Sequence, residues 1–239
     1  SKDSGVSELS LATAATLDAL ADAGLTTDDV DGIVRCDSDL VSYTDLAESL
    51  GLTNLSYTST VGPGGIAPEG MVAQAVGAIL SGQATTVVVF RCLNGRSGRR
   101  FGAGSPAARQ VRVGGQQTWD EFFLPWGLVT PGQFFALLAQ RHMTEFGTTD
   151  EQLGRIAVAC RERANANPAA QMHGRVMTIE DYLESPMIAE PLRLFDFCLE
   201  TDGANALVVT TTERARDLRH PPAVIRAVAQ GVSRGGQGG

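Results

Sequence analysis

Six arginines, Arg91, Arg96, Arg99, Arg100, Arg109 and Arg112, fall in one stretch with no Asp or Glu before Asp120. Phosphate groups are the usual target of clustered guanidinium groups, so the stretch points to an anionic ligand. The same pattern also suits a solvated loop that pairs with acidic neighbours or a partner subunit. Just beyond it, Asp120 and Glu121 are flanked by Trp119, Phe122, Phe123 and Trp126. An acid among aromatics is a candidate base with a raised pKa. More often, such a stretch packs a loop onto a flat apolar ligand or onto another subunit. A third candidate is the glycine-rich turn in TVGPGGIAPEG, residues 60–70, which feeds a helix. A helix N-terminus after such a turn suits a nucleophile or a phosphate. No Cys, Ser, Lys or His lies between Val61 and Gln74.

Several chemistries are disfavoured by composition. One of the 19 basic residues is a lysine, Lys2, and it sits at the chain end, so a Schiff-base mechanism lacks its amine. His142, His173 and His220 are far apart and form no paired metal motif. Cys36, Cys92, Cys160 and Cys198 contain no CxxC pair, which leaves them as buried thiols and not zinc ligands or a disulfide framework. No G-x-S-x-G element is present. Gly62-x-Gly64-x-x-Ala67 is a variant of the dinucleotide fingerprint, but the strand before it is polar and Arg91 and Cys92 occupy the place of the ribose-binding acid. An arginine there would favour a 2′-phosphate, so NADP stays open, beside the plainer reading that these glycines allow tight backbone paths. The net charge of −8 argues against nucleic acid. No apolar run approaches a membrane span and no signal-peptide pattern opens the chain, which together predict a cytoplasmic protein.

These candidates need elements to hold them. Residues 6–23 have helical spacing and end at Gly24, and Ile33 to Cys36 read as a short buried strand. Ser42 and Asp45 form a capping pair for the helix ended by Gly51, and residues 54–60 form a weaker strand. The helix from Ile66 to Leu80 is rich in Ala and Gly, which predicts a central position. TTVVVFRC predicts a central strand covered on both faces. From Leu93 to Thr130 the pattern dissolves into a long excursion of a functional or mobile kind. Helices then return, at 131–146 behind Pro131, after Thr149, and from Thr178. Asp202-Gly203 reads as a turn, ANALVVTT as a further buried strand, TERARDLR as a short helix and PAVIRAVAQGVS as a last strand. Alternating helices and strands predict a layered α/β fold.

The segments PGQFFALLAQRHMTEFGTTDEQLGRIAVACRERANANPAAQ and SPMIAEPLRLFDFCLETDGANALVVTTTERARDL together resemble the thiolase superfamily, in its lipid-transfer-protein (SCP-x thiolase-like) branch. The resemblance covers essentially the whole chain, and its most specific block is EPLRLFDFC…TDGANALVV. It implies a layered αβαβα fold of which this chain supplies mainly the N-terminal half. On that reading residues 1–92 and 200–229 form the core, 93–199 an excursion covering the active site, and 230–239 a tail. In thiolases the turn after the strand corresponding to LSYTST carries the acyl-accepting cysteine, and that position falls at or beside Gly65. Glycine forms no thioester, so Claisen chemistry through an acyl-enzyme is disfavoured.

Members of the branch that replace this cysteine include steroid side-chain retro-aldolases, and FRCLNGRSGRRFG is similar to what those enzymes would carry. The resemblance therefore implies cleavage of a β-hydroxy acyl-CoA to a 17-ketosteroid and propionyl-CoA. It implies no metal and no cofactor, CoA being part of the substrate. The alternatives are a thiolase-like acyltransferase with another nucleophile and a non-catalytic acyl-CoA or lipid carrier. Candidate substrate-binding residues are Gly64, Gly65, Arg96, Arg99, Arg100, Phe123 and Trp126. The acid–base tyrosines of such aldolases are expected outside this chain, since Tyr43, Tyr57 and Tyr182 do not match their positions. Expected partners are a second copy, and a small OB-fold protein with a zinc ribbon of the DUF35 type in a heterotetramer. No nucleic acid or membrane is expected.

Overall fold

Short polar residues place the helix starts. Ser7 Oγ accepts the Ser10 N–H at 3.1 Å and opens α1 (Glu8–Ala23), and β1 (Gly32–Cys36) follows. Ser42 and Asp45 cap α2 (Tyr43–Leu50) reciprocally, each side chain accepting the other's backbone N–H at 3.1 and 3.0 Å. Next come β2 (Tyr57–Val61), α3 (Ala67–Leu80) and β3 (Thr86–Asn94). A 3-10 turn, Leu124–Trp126, precedes α4 (Pro131–Phe146) and α5 (Asp150–Ala166). The rest comprises α6 (Ile179–Glu184), a hairpin of β4 (Met187–Ala189) and β5 (Leu192–Arg193), β6 (Asp202–Thr210) and α7 (Thr212–Ala215). The computed structural model describes residues 3–62, 67–98, 124–128 and 130–231. It divides into two units, Ser1–Arg100 with Glu200–Gly236, and Phe101–Leu199 with 237–239.

The first unit is built on one sheet of order β2-β1-β3-β6, parallel except for β6, which runs antiparallel to β3. Strand alternation splits its core in two. Ile33, Val88, Phe90 and Cys92 face Ala12 and Leu20 of α1 and Leu46 of α2. Val34, Cys36, Val87 and Val89 face Ala67, Met71, Ala75 and Ala78 of α3. The small side chains of α3 let it lie close on the sheet. Burying a side chain such as Phe90, 1% exposed, contributes on the order of 1.5–3 kcal/mol.

Four expectations need correction here. Asp202-Gly203 is no turn: it opens β6, with Asp202 opposite Asn94 and Gly203 opposite Leu93. That pairing carries β3 to Asn94, past the expected start of the excursion. Nor is β6 buried throughout. Among the described residues it is an edge strand, turning Ala204, Ala206 and Val208 toward the α1 core, while Leu207 on the other row is 56% exposed. Helix α3 is not enclosed, because only one face meets the sheet and Gln74, Gly77 and Leu80 are exposed. Finally, residues 222–231 of PAVIRAVAQGVS form no strand, since none of the described residues pairs with their backbone; its last two residues, 232 and 233, lie outside the described residues.

The second unit packs α4, α5 and α6 with the β4/β5 hairpin, an element that sequence periodicity had not indicated. Its centre is Tyr182, fully buried, whose hydroxyl donates to Asp196 Oδ2 at 2.8 Å. Gly154 on α5 is glycine for contact reasons: a Cβ there would meet Tyr182 Cδ1 at 2.5 Å and Ile179 Cδ1 at 2.6 Å. Arg193 joins the parts, reaching Asp150 Oδ2 at 3.1 Å and donating to the Ser185 carbonyl at 3.0 Å.

Candidate functional site

The carboxyl ends of β1, β2 and β3 lie at one edge of the sheet, and antiparallel β6 brings its first residue, Asp202, to the same edge. From β1 the chain crosses to β2 on one side and returns to β3 on the other. Such a reversal in strand order opens a crevice in which α/β proteins place ligands.

Three aspartates line this edge. Asp37 follows β1, and its N–H donates to the Val61 carbonyl at 2.9 Å. Its carboxylate fills the space that a Cβ on Gly62 would need, so glycine is required there by close approach. A carboxylate at the entrance to the glycine turn repels a pyrophosphate, which weighs against the dinucleotide reading. Asp39 is 3% exposed and plugs the split between β1 and β3, its Oδ2 accepting the Cys92 N–H at 2.9 Å. Its Oδ1 has no hydrogen-bond donor among the described residues and faces Arg91 Nε at 3.5 Å. Arg35 braces the same loop by donating to the Asp39 carbonyl at 2.7 Å and the Cys36 carbonyl at 3.1 Å. Burial raises the Asp39 pKa, and the Cys92 N–H and the Arg91 and Arg35 charges offset that only in part.

Asp202, also 3% exposed, is surrounded by donors. Ser97 Oγ donates to Oδ2 at 2.6 Å, the Ser4 N–H to Oδ2 at 2.9 Å, and the Arg96 and Ser97 N–H groups to Oδ1 at 2.9 and 3.0 Å. Burial alone would raise this carboxyl, but the Ser97 hydroxyl and the backbone donors hold it well below the usual range. The amino-terminal segment is stitched to the same place. Asn94 Nδ2 donates to the Val6 carbonyl at 3.0 Å, and the Asn94 N–H donates to Glu8 Oε1 at 2.9 Å.

The candidate residues fall unevenly. Gly64, Gly65, Arg99, Arg100 and Phe123 lie outside the described residues, as do Arg109, Arg112, Trp119, Asp120, Glu121 and Phe122. Arg96 is in the first unit, its side chain 46% exposed and its Nη1 3.9 Å from Glu200 Oε2. Trp126 is in the second unit and 82% exposed. Arg91 is engaged with Asp39 and, at 3.4 Å, with Ser38 Oγ. The acids that face Arg91 and Arg96 come from distant positions, so a local reading of charge missed them. Asp37 and Asp39 were visible only as a polar CDSD run after a strand.

Of the cysteines, Cys36 and Cys92 are buried as expected, and burial together with the Asp39 and Glu8 charges pushes the Cys92 thiol up to about 12. Cys160 and Cys198 are exposed, against expectation, Cys160 because it lies on the outer side of α5. Tyr57 donates to Gln74 Oε1 at 3.1 Å, and Tyr182 is held by Asp196. Among the described residues no group of three or more His, Cys, Asp or Glu could hold a metal, and no helix is long and apolar enough to cross a membrane.

No family model matches the chain. A steroid side-chain-cleaving aldolase of Thermomonospora curvata is 48% identical over 97% of this chain and 59% of its own length. A 17-hydroxy-3-oxo-4-pregnene-20-carboxyl-CoA lyase of Mycobacterium tuberculosis is 44% identical over 98% of this chain and 60% of its own. The solved Ltp2-ChsH2(DUF35) aldolase superposes with a TM-score of 0.90 at 45% identity, covering 98% of this chain and 58% of that one. A monomeric SCP2-thiolase-like protein of Mycobacterium smegmatis shares the fold, with a TM-score of 0.66 at 18% identity over 90% of this chain and 45% of that one. The chain thus spans about three fifths of the length of the relatives it matches. Its fold is thiolase-like, and along nearly its whole length its sequence resembles steroid side-chain-cleaving aldolases.

Proposed function

We propose that this thiolase-like, aldolase-like chain acts in a carbon–carbon lyase that splits a steroid side-chain β-hydroxy acyl-CoA. A base removes the proton of the C17 hydroxyl, the C17–C20 bond breaks, and its electron pair passes to C20 as the thioester enolate. Protonation at C20 then gives propionyl-CoA beside the 17-ketosteroid, with no oxidant or reductant consumed. The reading is carried by identity of 44–48% across nearly the whole chain to two proteins named for this class of cleavage. It agrees with residues 61–74, where no side chain forms an acyl-enzyme, and with the Cys92 thiol, too buried and too weakly acidic to take that part.

Within this proposal Gly64 and Gly65 leave room beside the thioester, and Arg96, Arg99 and Arg100 meet the phosphates of CoA. Phe123 and Trp126 offer apolar faces to the steroid. No acid–base role falls to Tyr57 or Tyr182, whose hydroxyls are committed to Gln74 and Asp196. CoA belongs to the substrate, and the lyase uses no separate cofactor. A DUF35 protein is the proposed partner, supported by the solved Ltp2-ChsH2(DUF35) aldolase, and the proposed assembly is a heterotetramer with a homodimer of this chain.

The test incubates the full-length protein and its DUF35 partner with a 17-hydroxy steroid C22-CoA thioester. Ketosteroid and propionyl-CoA should form in equal amounts by mass spectrometry. Absence of cleavage, with turnover of 3-oxoacyl-CoA and free CoA instead, would replace the lyase by an acyltransferase.

A further inference from the structure

We infer that Asp202 is a positioning residue whose carboxylate fixes the turn at residues 95–97 so that Arg96 presents its guanidinium to the anionic end of the substrate. This rests on the acyl-CoA reading above and names the group that prepares the site for it.

The turn leaves β3 at Asn94 and would be loose by itself. Its own backbone supplies one bond, from the Gly98 N–H to the Asn94 carbonyl at 2.9 Å. The Gly95 N–H is taken by the Thr201 carbonyl at 3.2 Å. The next two N–H groups, of Arg96 and Ser97, go to one oxygen of Asp202, and the Ser97 hydroxyl goes to the other. Consecutive donors on a single buried carboxylate leave the backbone at Arg96 little freedom. The guanidinium is different: it is half exposed, and Glu200 Oε2 stands 3.9 Å away, a contact too long for a strong ion pair. Arg91, earlier in the same basic run, is committed inward to Asp39 and Ser38. Arg96 therefore combines a fixed root with an available head. A cation held this way binds an anion more tightly because less motion is lost on binding.

Asp202→Asn tests this in the full-length protein with its DUF35 partner. The amide keeps an oxygen for the Arg96 and Ser97 N–H groups but sets an NH2 against the Ser4 N–H. Free CoA, titrated by calorimetry without turnover, reports the anion site independently of whether the carbon–carbon bond is cleaved. Asp202→Asn should weaken CoA about tenfold and raise KM for the thioester equally, the equivalent of one lost charge-assisted contact, with kcat within about twofold. Ser97→Ala, which removes one donor, should weaken CoA about threefold in the same sense. Glu200→Gln, which removes the competing carboxylate, should tighten CoA by about twofold, a change of sign that loosened folding does not produce. Unchanged CoA affinity in Ser97→Ala and Asp202→Asn, or a fall in kcat at constant KM, overturns the assignment. If Asp202→Asn fails to fold, Ser97→Ala and Glu200→Gln decide it between them. Cleavage absent in the parent protein while CoA affinity follows these variants would sink the lyase reading and leave the positioning role in place.

Discussion

Asp39 and Asp202 flank the same strand end, are equally buried, and differ in proton affinity in opposite directions. The difference lies in what surrounds them. Asp202 sits opposite the end of β3, where a turn begins, and a turn exposes consecutive N–H groups that a carboxylate can gather. Asp39 sits where two parallel strands separate, which frees a single N–H, from Cys92, and leaves the rest of its charge chiefly to Arg91, whose Nε stands 3.5 Å from Oδ1. Burial acts on both. Whether a buried acid stays ionised depends on how many donors the local backbone turns toward it.

Replacement by alanine should separate the two most. Asp202→Ala strips the acceptor from Ser4, Arg96 and Ser97 together, so its thermal midpoint should fall further than that of any other variant named here; calorimetry showing a smaller fall than for Arg91→Met would break the comparison. Arg91→Met comes next, because it removes the cation nearest an ionised Asp39, and it should cost about 1–3 kcal/mol at neutral pH by urea unfolding. Asp39→Asn keeps an oxygen for the Cys92 N–H and relieves a charge that burial disfavours. It should cost less than about 1 kcal/mol and should largely cancel the cost of Arg91→Met in the double variant.

The smallest effect is on the pH dependence, and its sign is diagnostic. Asp202, held low, contributes stability that is present above the unfolded value of about 3.9 and is lost as pH falls toward its folded value. Asp39, held high, contributes stability that is full below about 3.9 and is lost as pH rises through its folded value. Between about pH 3 and 6, Asp202→Asn should flatten the rise of stability with pH, and Asp39→Asn should steepen it. Equal slopes in the two variants would mean that the surroundings of these acids do not differ as described.

Local chemistry made much of the fold legible. The capping residues Ser42, Thr149 and Thr178, and Pro131 at a first turn, mark helices that form where expected. The apolar TTVVVF run marks the central strand. What failed depended on partners distant in sequence. Residues 222–231 have the Val and Ile content of a strand, yet a strand exists only against a neighbour. Asp202-Gly203 has the composition of a turn, but pairing with Asn94 and Leu93 outweighs it. At the candidate site the arginines were legible as a run, whereas their counter-charges Asp39 and Glu200 come from loops far away in the chain. The superfamily resemblance rested on whole segments, which carry more information than any single spacing.

Ser4 and Ser97 share one oxygen of Asp202, so a backbone change at Ser4 would be felt more than ninety positions away. A proline at Ser4, which lacks the N–H that Asp202 accepts, acts as a perturbation of the basic turn. Residues 4–8 are in effect a tether, tying the approach to α1 to the end of β3 and the start of β6.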